Sequence, residues 1–189
     1  LILFSVFVLM ALGLAIIFGQ MGVINMAHGE FMILGAYITY LVSNLFSQHF
    51  PELFSYYFFI AMILAFFATA LLGALVEWGM IRFLYNRPLD TLLATWGLSL
   101  ILQQIYRSVF GAREVGVTLP DWLMGSYQLT DTIEIPVNGL FVMSLAIGIS
   151  LAVAVLMYRS RWGIQVRAVV QNRPMAGAVG INTAKVDRM

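Results

Sequence analysis

Asn25, His28 and Glu30 lie close together between two long apolar runs, and Gln20 stands just before them. Side chains of these types can hold a proton, bind a small polar solute or hydrogen-bond one another. In a bilayer each is costly without a partner or water, which makes the cluster a functional-site expectation. Glycines at 19, 22, 29 and 35 let the backbone turn where a plain transmembrane helix would continue. The stretch from Gly19 to Gly35 therefore reads as a break that lines a path through a membrane protein, with one or two helices interrupted there. His28 and Glu30 are two apart and do not share a helical face, so they pair only if the backbone breaks at Gly29. Glu30 also falls in the first turn of the following helix, where the dipole favours a carboxylate, so a capping role and a pathway role both fit.

A second polar set follows at regular spacing. Thr91, Thr95, Ser99, Gln103 and Arg107 recur every fourth residue, and Gln104 widens the set. Serine and threonine can bond their own helix backbone, a purely structural use. Amide side chains in an apolar zone need interhelical partners or water, so Gln103 and Gln104 point this face into the bundle, opposite the first cluster. A third set is small rather than polar: Ala61, Ala65, Thr69 and Gly73 form a stripe that admits a close helix neighbour, with Glu77 the next position on it. Glu77 then faces protein, unless it snorkels to the interface or pairs with Arg82. No catalytic residue is expected. Ser99 and His28 are the one nucleophile and base that can be imagined together, yet Ser99 sits in a regular stripe and spacing does not join the two. No metal and no cofactor are expected in this chain.

The elements that carry these residues are legible from composition. Hydrophobic residues make up 61% of 189 and charged residues 10%, with a mean hydropathy of +0.92, against about a quarter charged in soluble domains. This is an all-α, polytopic transmembrane bundle embedded in a lipid bilayer. The net charge of +1 gives no basis for nucleic-acid binding, and the absence of cysteine removes disulfides and thiolate metal sites. Apolar runs at 1–18, 31–46, 56–82, 91–109 and 137–158 give about five crossings. Basic residues at Arg82, Arg87, Arg159, Arg161, Arg167, Arg173, Lys185 and Arg188 place the 82–91 loop and the tail after 158 in the cytoplasm. Residues 1–158 form the bundle, with an external loop at 111–136 that makes a small cap around Trp122 and Tyr127. Residues 159–189 form a cytoplasmic segment and the start of a further helix. Within it, 164–171 reads as a short helix, Pro174 opens another, Gly180 stops it, and Asn182 or Thr183 caps the next. Basic helices of this kind suit docking on another protein, or contact with anionic lipid. Both chain ends look cut, as in a fragment.

Three separated motifs carry a family likeness. Gly-Val-Ile-Asn-Met-Ala-His-Gly-Glu-Phe-Met-Ile-Leu-Gly-Ala-Tyr spans 22–37. Arg-Pro-Leu with Leu-Leu-Ala-Thr-Trp-Gly-Leu-Ser-Leu-Ile-Leu-Gln-Gln spans 87–104. Arg-Trp-Gly-Ile-Gln-Val-Arg-Ala with Ala-Val-Gly-Ile-Asn spans 161–182. In this order they resemble the permease subunits of branched-chain amino acid ABC importers, and the wording of the last two is most similar to the urea-transport permeases. The resemblance implies an inner-membrane subunit of a bacterium, paired with a second related permease, two cytoplasmic ATPase subunits and a periplasmic solute-binding protein. It also implies that the later helices of the permease are missing. By that likeness Arg167, Ala168, Arg173, Ala176, Gly180, Ile181 and Asn182 belong to the segment that couples to an ATPase. The substrate pathway would use Asn25, His28, Glu30, Thr95, Ser99, Gln103 and Gln104. No Gly-x-x-x-x-Gly-Lys-Ser/Thr motif occurs, so ATP hydrolysis is expected in partner subunits. The expected function is ATP-driven import of urea, a short amide or a branched-chain amino acid. A passive channel for a small neutral solute and an intramembrane hydrolase are the alternatives from other classes.

Overall fold

The computed structural model describes the chain except residues 1, 85, 86, 112, 114, 131, 132, 184, 185 and 187–189 and the side chains of 20, 21, 129, 130 and 133. Gln20 of the polar stretch is thus outside the described side chains. In chain order the helices are α1 (Ile2–Met21), α2 (His28–His49), α3 (Tyr57–Val76), α4 (Arg82–Leu84), α5 (Pro88–Phe110), α6 (Val137–Arg159), α7 (Arg161–Gln171) and α8 (Arg173–Ala178). A two-stranded hairpin, β1 (Ser126–Thr130) and β2 (Ile133–Pro136), precedes α6. Four helical segments are long and apolar enough to cross a membrane: Ile2–Gly19, His28–His49, Pro51–Leu84 and Val137–Arg159. The fifth expected crossing is α5, which at 23 residues has the length of a span and carries the polar stripe that lowers its hydropathy. The described residues are predominantly helical, as composition demands of backbone in a bilayer.

Contacts divide the chain into two compact units, 25–127 and 1–24 with 128–189. The cytoplasmic segment expected after 158 thus belongs with α1 and α6. In the unit 25–127, α2 and α3 pack antiparallel along the small-residue stripe. A methyl group at Gly35 would lie 3.9 Å from Ala65 Cβ, and one at Gly73 would lie 3.9 Å from the Phe31 ring. Ala61 is fully buried, with Val42 and Tyr57, in the core between these helices. Thr69 returns its hydroxyl to the carbonyl of Ala65, so the stripe shows a nearly apolar face to its neighbour. Glu77 is buried at 7% exposure, where α3 widens into a π-turn over Glu77–Ile81. Such turns displace one residue from the helical register.

The segment after α5 is tied to the Pro51–Tyr57 end of the α2–α3 pair. Tyr57 donates its hydroxyl to the Thr118 carbonyl at 2.5 Å. Trp122 donates Nε1–H to the Ser55 carbonyl at 3.0 Å and stacks on Phe59. Of the two residues expected to form a cap, Trp122 thus packs at the start of α3 while Tyr127 is exposed, and the hairpin is an addition that no strand pattern announced.

In the other unit α1 pairs with α6, and α6 turns sharply into α7. Ser160 caps α7 by accepting from Gly163 N–H at 2.9 Å while donating to the Leu156 carbonyl. The turn is so tight that a Cβ at Gly163 would stand 2.3 Å from the Met157 carbonyl oxygen. Asn172 caps α8, its side chain accepting from Met175 N–H, and Gly180 adopts φ +90° to end it. Val166, Val169, Ala176 and Val186 form a small core of their own, with Trp162, Ala168 and Ile181 packed against it.

Candidate functional site: a buried carboxylate seam between two helices

The helix break is built by three local devices. α1 ends on Gly22, at φ +66°, whose N–H closes on the Phe18 carbonyl. Asn25 folds back so that its Oδ1 accepts from Ala27 N–H at 3.0 Å, an Asx turn that aims the chain into α2. The carbonyls of Asn25 and Ala27 then accept from the N–H groups of His28 and Glu30. Asn25 is buried and engaged with its own backbone, and His28 is half-buried at the first position of α2.

One turn into α2, Glu30 meets α5. Its Oε1 accepts from Ser99 Oγ–H at 2.7 Å and from Gln103 Nε2–H at 2.7 Å. Gln103 also reaches Ser99 Oγ at 3.2 Å, so the three side chains close on one another. Tyr106 donates its hydroxyl to the Glu30 backbone carbonyl at 3.1 Å, adding a third tie between the helices. Glu30 as a whole is 6% exposed. A carboxylate is tolerable in an apolar surround only with donors aimed at it. A turn earlier on α5, Thr95 is fully buried and accepts from Met26 N–H at 3.2 Å, pinning the break itself to this helix. Thr91 spans back to the carbonyls of Leu84 and Arg87 and holds the turn that opens α5.

The structure thus brings together Glu30, Ser99 and Gln103, and places Thr95 beside the break. It does not bring Gln104 to them. That side chain is exposed on another face of α5, beside Ile101, Ile105 and Ser108. Nor does Arg107 continue the stripe; it is exposed while Tyr106 is buried. The reason is geometric: a strict four-residue spacing winds about 40° around an α-helix at each step, whereas seven residues return almost to the same face. Tyr106, seven after Ser99, is the site residue that spacing by four misses and spacing by seven finds. Ser99 and Gln103 of the expected pathway face are hydrogen-bonded to Glu30 here.

In the 159–189 segment, Ala168, Ala176 and Ile181 serve the small core, and Gly180 serves the turn that ends α8. Arg167 and Asn182 are exposed, and Arg173 is half-buried. The Arg167 guanidinium stands over the Tyr158 ring at 5.3 Å. Among the described residues no group of His, Asp and Glu could hold a metal ion.

Long apolar helices with a buried polar seam between two of them mark a multi-pass helical membrane protein. The chain belongs to the family described as branched-chain amino acid transport system / permease component, whose model matches residues 1–188. It is 25% identical over 192 residues to the high-affinity branched-chain amino acid transport system permease protein LivH of Salmonella typhimurium. It is likewise 25% identical over 193 residues to LivH of Escherichia coli and over 195 residues to BraD of Pseudomonas aeruginosa. Each match takes in 96% of this chain and 60% of the relative, so the chain spans about three-fifths of their length. No solved structure matches it.

Proposed function

We propose that this chain is part of the permease subunit of an ATP-driven importer that carries branched-chain amino acids inward across a bacterial cytoplasmic membrane. The observation that carries the reading is the Glu30 seam: a buried carboxylate, held by donors of a second helix, one turn after the connection between α1 and α2. Such bonds hold membrane helices together, and an alternating-access bundle needs polar contacts of this kind that exchange between two packings. In the state described, the seam joins α2 to α5. In the alternate state the donors of Ser99, Gln103 and Tyr106 turn to solute or water as the helices part.

The energy for that exchange enters from elsewhere. Two cytoplasmic ATPase subunits act on the segment of α7 and α8, a second related permease completes the bundle, and a periplasmic binding protein delivers the solute. Support for α7 as the coupling element lies in its rigid join to α6 at Ser160 and Gly163, which lets a push on α7 reach α6 without slack. The branched-chain assignment is preferred because the relatives carry that description. Urea, which the wording of residues 87–104 and 161–182 favours, is the second reading. Uptake of labelled leucine and labelled urea by cells lacking the gene separates them. Loss of leucine uptake alone supports the proposal, and loss of urea uptake alone replaces it with the second reading.

A further inference from the structure

An open groove of about 350 Å³ is lined by Ile33, Ala36, Tyr37 and Tyr40 of α2, of which Ile33 and Ala36 are exposed, and by Val115 and Val117 of the segment after α5. That volume falls at the small end of ligand sites, which are mostly apolar with a few placed polar groups. The four α2 residues stand at i, i+3, i+4 and i+7, a single stripe that begins one turn after Glu30. Both walls are fixed. The Tyr37 ring is stacked on Phe110 at 3.9 Å between centroids and stands 5.4 Å from Tyr106, the residue that donates to the Glu30 carbonyl. Val117 packs on the α2–α3 core, and its neighbour Thr118 accepts from Tyr57.

We infer that this groove is the subsite that receives the aliphatic side chain of the transported amino acid. The inference rests on the importer reading above and names the place where its substrate is read. Among the described residues no charged side chain lines the groove, and the apolar lining of Ile33, Ala36, Val115 and Val117 suits the hydrocarbon part of an amino acid. Urea has no hydrocarbon to bury there. Ala36 is the small residue that keeps the space open between Ile33 and Tyr40. Tyr37 belongs to the groove wall and to the aromatic group that holds the seam, so occupancy and seam are mechanically joined through Tyr37, Tyr106 and Glu30.

The test uses the complete transporter, with its full-length permease and partner subunits, reconstituted in vesicles. Ala36→Phe fills the groove, while Ile101→Phe adds similar bulk on an exposed part of α5 remote from it. One or two methylenes in an apolar pocket discriminate by about tenfold or more. Ala36→Phe is therefore expected to lower labelled-leucine uptake about tenfold, with ATP hydrolysis still stimulated by the leucine-loaded binding protein and Ile101→Phe transporting at the parent rate. Parent-level leucine uptake by Ala36→Phe overturns the inference and leaves the importer reading standing. A parent transporter that moves urea and not leucine overturns both.

Discussion

Replacing Glu30 and Gln103 singly and together measures whether the seam is a charge-assisted contact or incidental packing. Glu30→Gln keeps an oxygen where Oε1 accepts both 2.7 Å bonds and removes the charge. Gln103→Leu keeps volume and removes the donor. A hydrogen bond to a charged group contributes about 1.5–3 kcal/mol and a neutral one about 0.5–1.5 kcal/mol. Gln103→Leu should thus destabilise the parent by about 2–3 kcal/mol and the Glu30→Gln background by about 1 kcal/mol, a coupling of about 1–2 kcal/mol. The assay is unfolding of the purified permease complex in mixed micelles, with the four proteins followed side by side. Additivity to within about 0.5 kcal/mol would refute the reasoning, because independent sites add to that precision. It would mean that the carboxylate does not rely on Gln103.

Gly163→Ala places a methyl group against the Met157 and Leu156 carbonyls, so the α6–α7 join must distort; the complex is expected to lose ATPase stimulation by loaded binding protein, read as phosphate release. Asn172→Ala removes the α8 cap and should lower stability by about 1 kcal/mol, measured as a fall in melting temperature with uptake reduced less than by Gly163→Ala. Tyr57→Phe deletes the tie to Thr118, worth about 1 kcal/mol, and should speed proteolytic nicking of the 111–125 segment. Charge reversal at Arg173 should uncouple ATP hydrolysis from uptake while membrane insertion is retained; unchanged coupling removes that residue from the ATPase contact.

Much of this was legible in the sequence because membrane residence makes each polar residue conspicuous. Glu30, Ser99 and Gln103 stood out by type and spacing, and the break between α1 and α2 followed from Gly22 and Asn25. The start and end of α8 were readable at Pro174 and Gly180, since such signals are local chemistry. Tyr106 was hidden because its ring reads as core and only its hydroxyl reaches the Glu30 carbonyl. Gln104 looked equal to Gln103, and the 100° between adjacent helix positions separated them. The π-turn at Glu77 and the hairpin before α6 depend on packing that no short pattern records. Gly163 gave no sign of its role, because the need for a bare Cα there arises only when the α6 carbonyls close on it.

Opening of the Glu30 seam during transport is directly measurable. The chain has no cysteine, and Ser99→Cys is nearly isosteric at a position 6% exposed and bonded to Glu30. Its reaction with a small water-soluble thiol reagent, measured in the reconstituted transporter, should be slow at rest and several-fold faster during turnover with ATP and leucine-loaded binding protein, while Ile101→Cys keeps one rate in both conditions. A Ser99→Cys rate that is the same at rest and in turnover, with leucine uptake proceeding, would contradict the account.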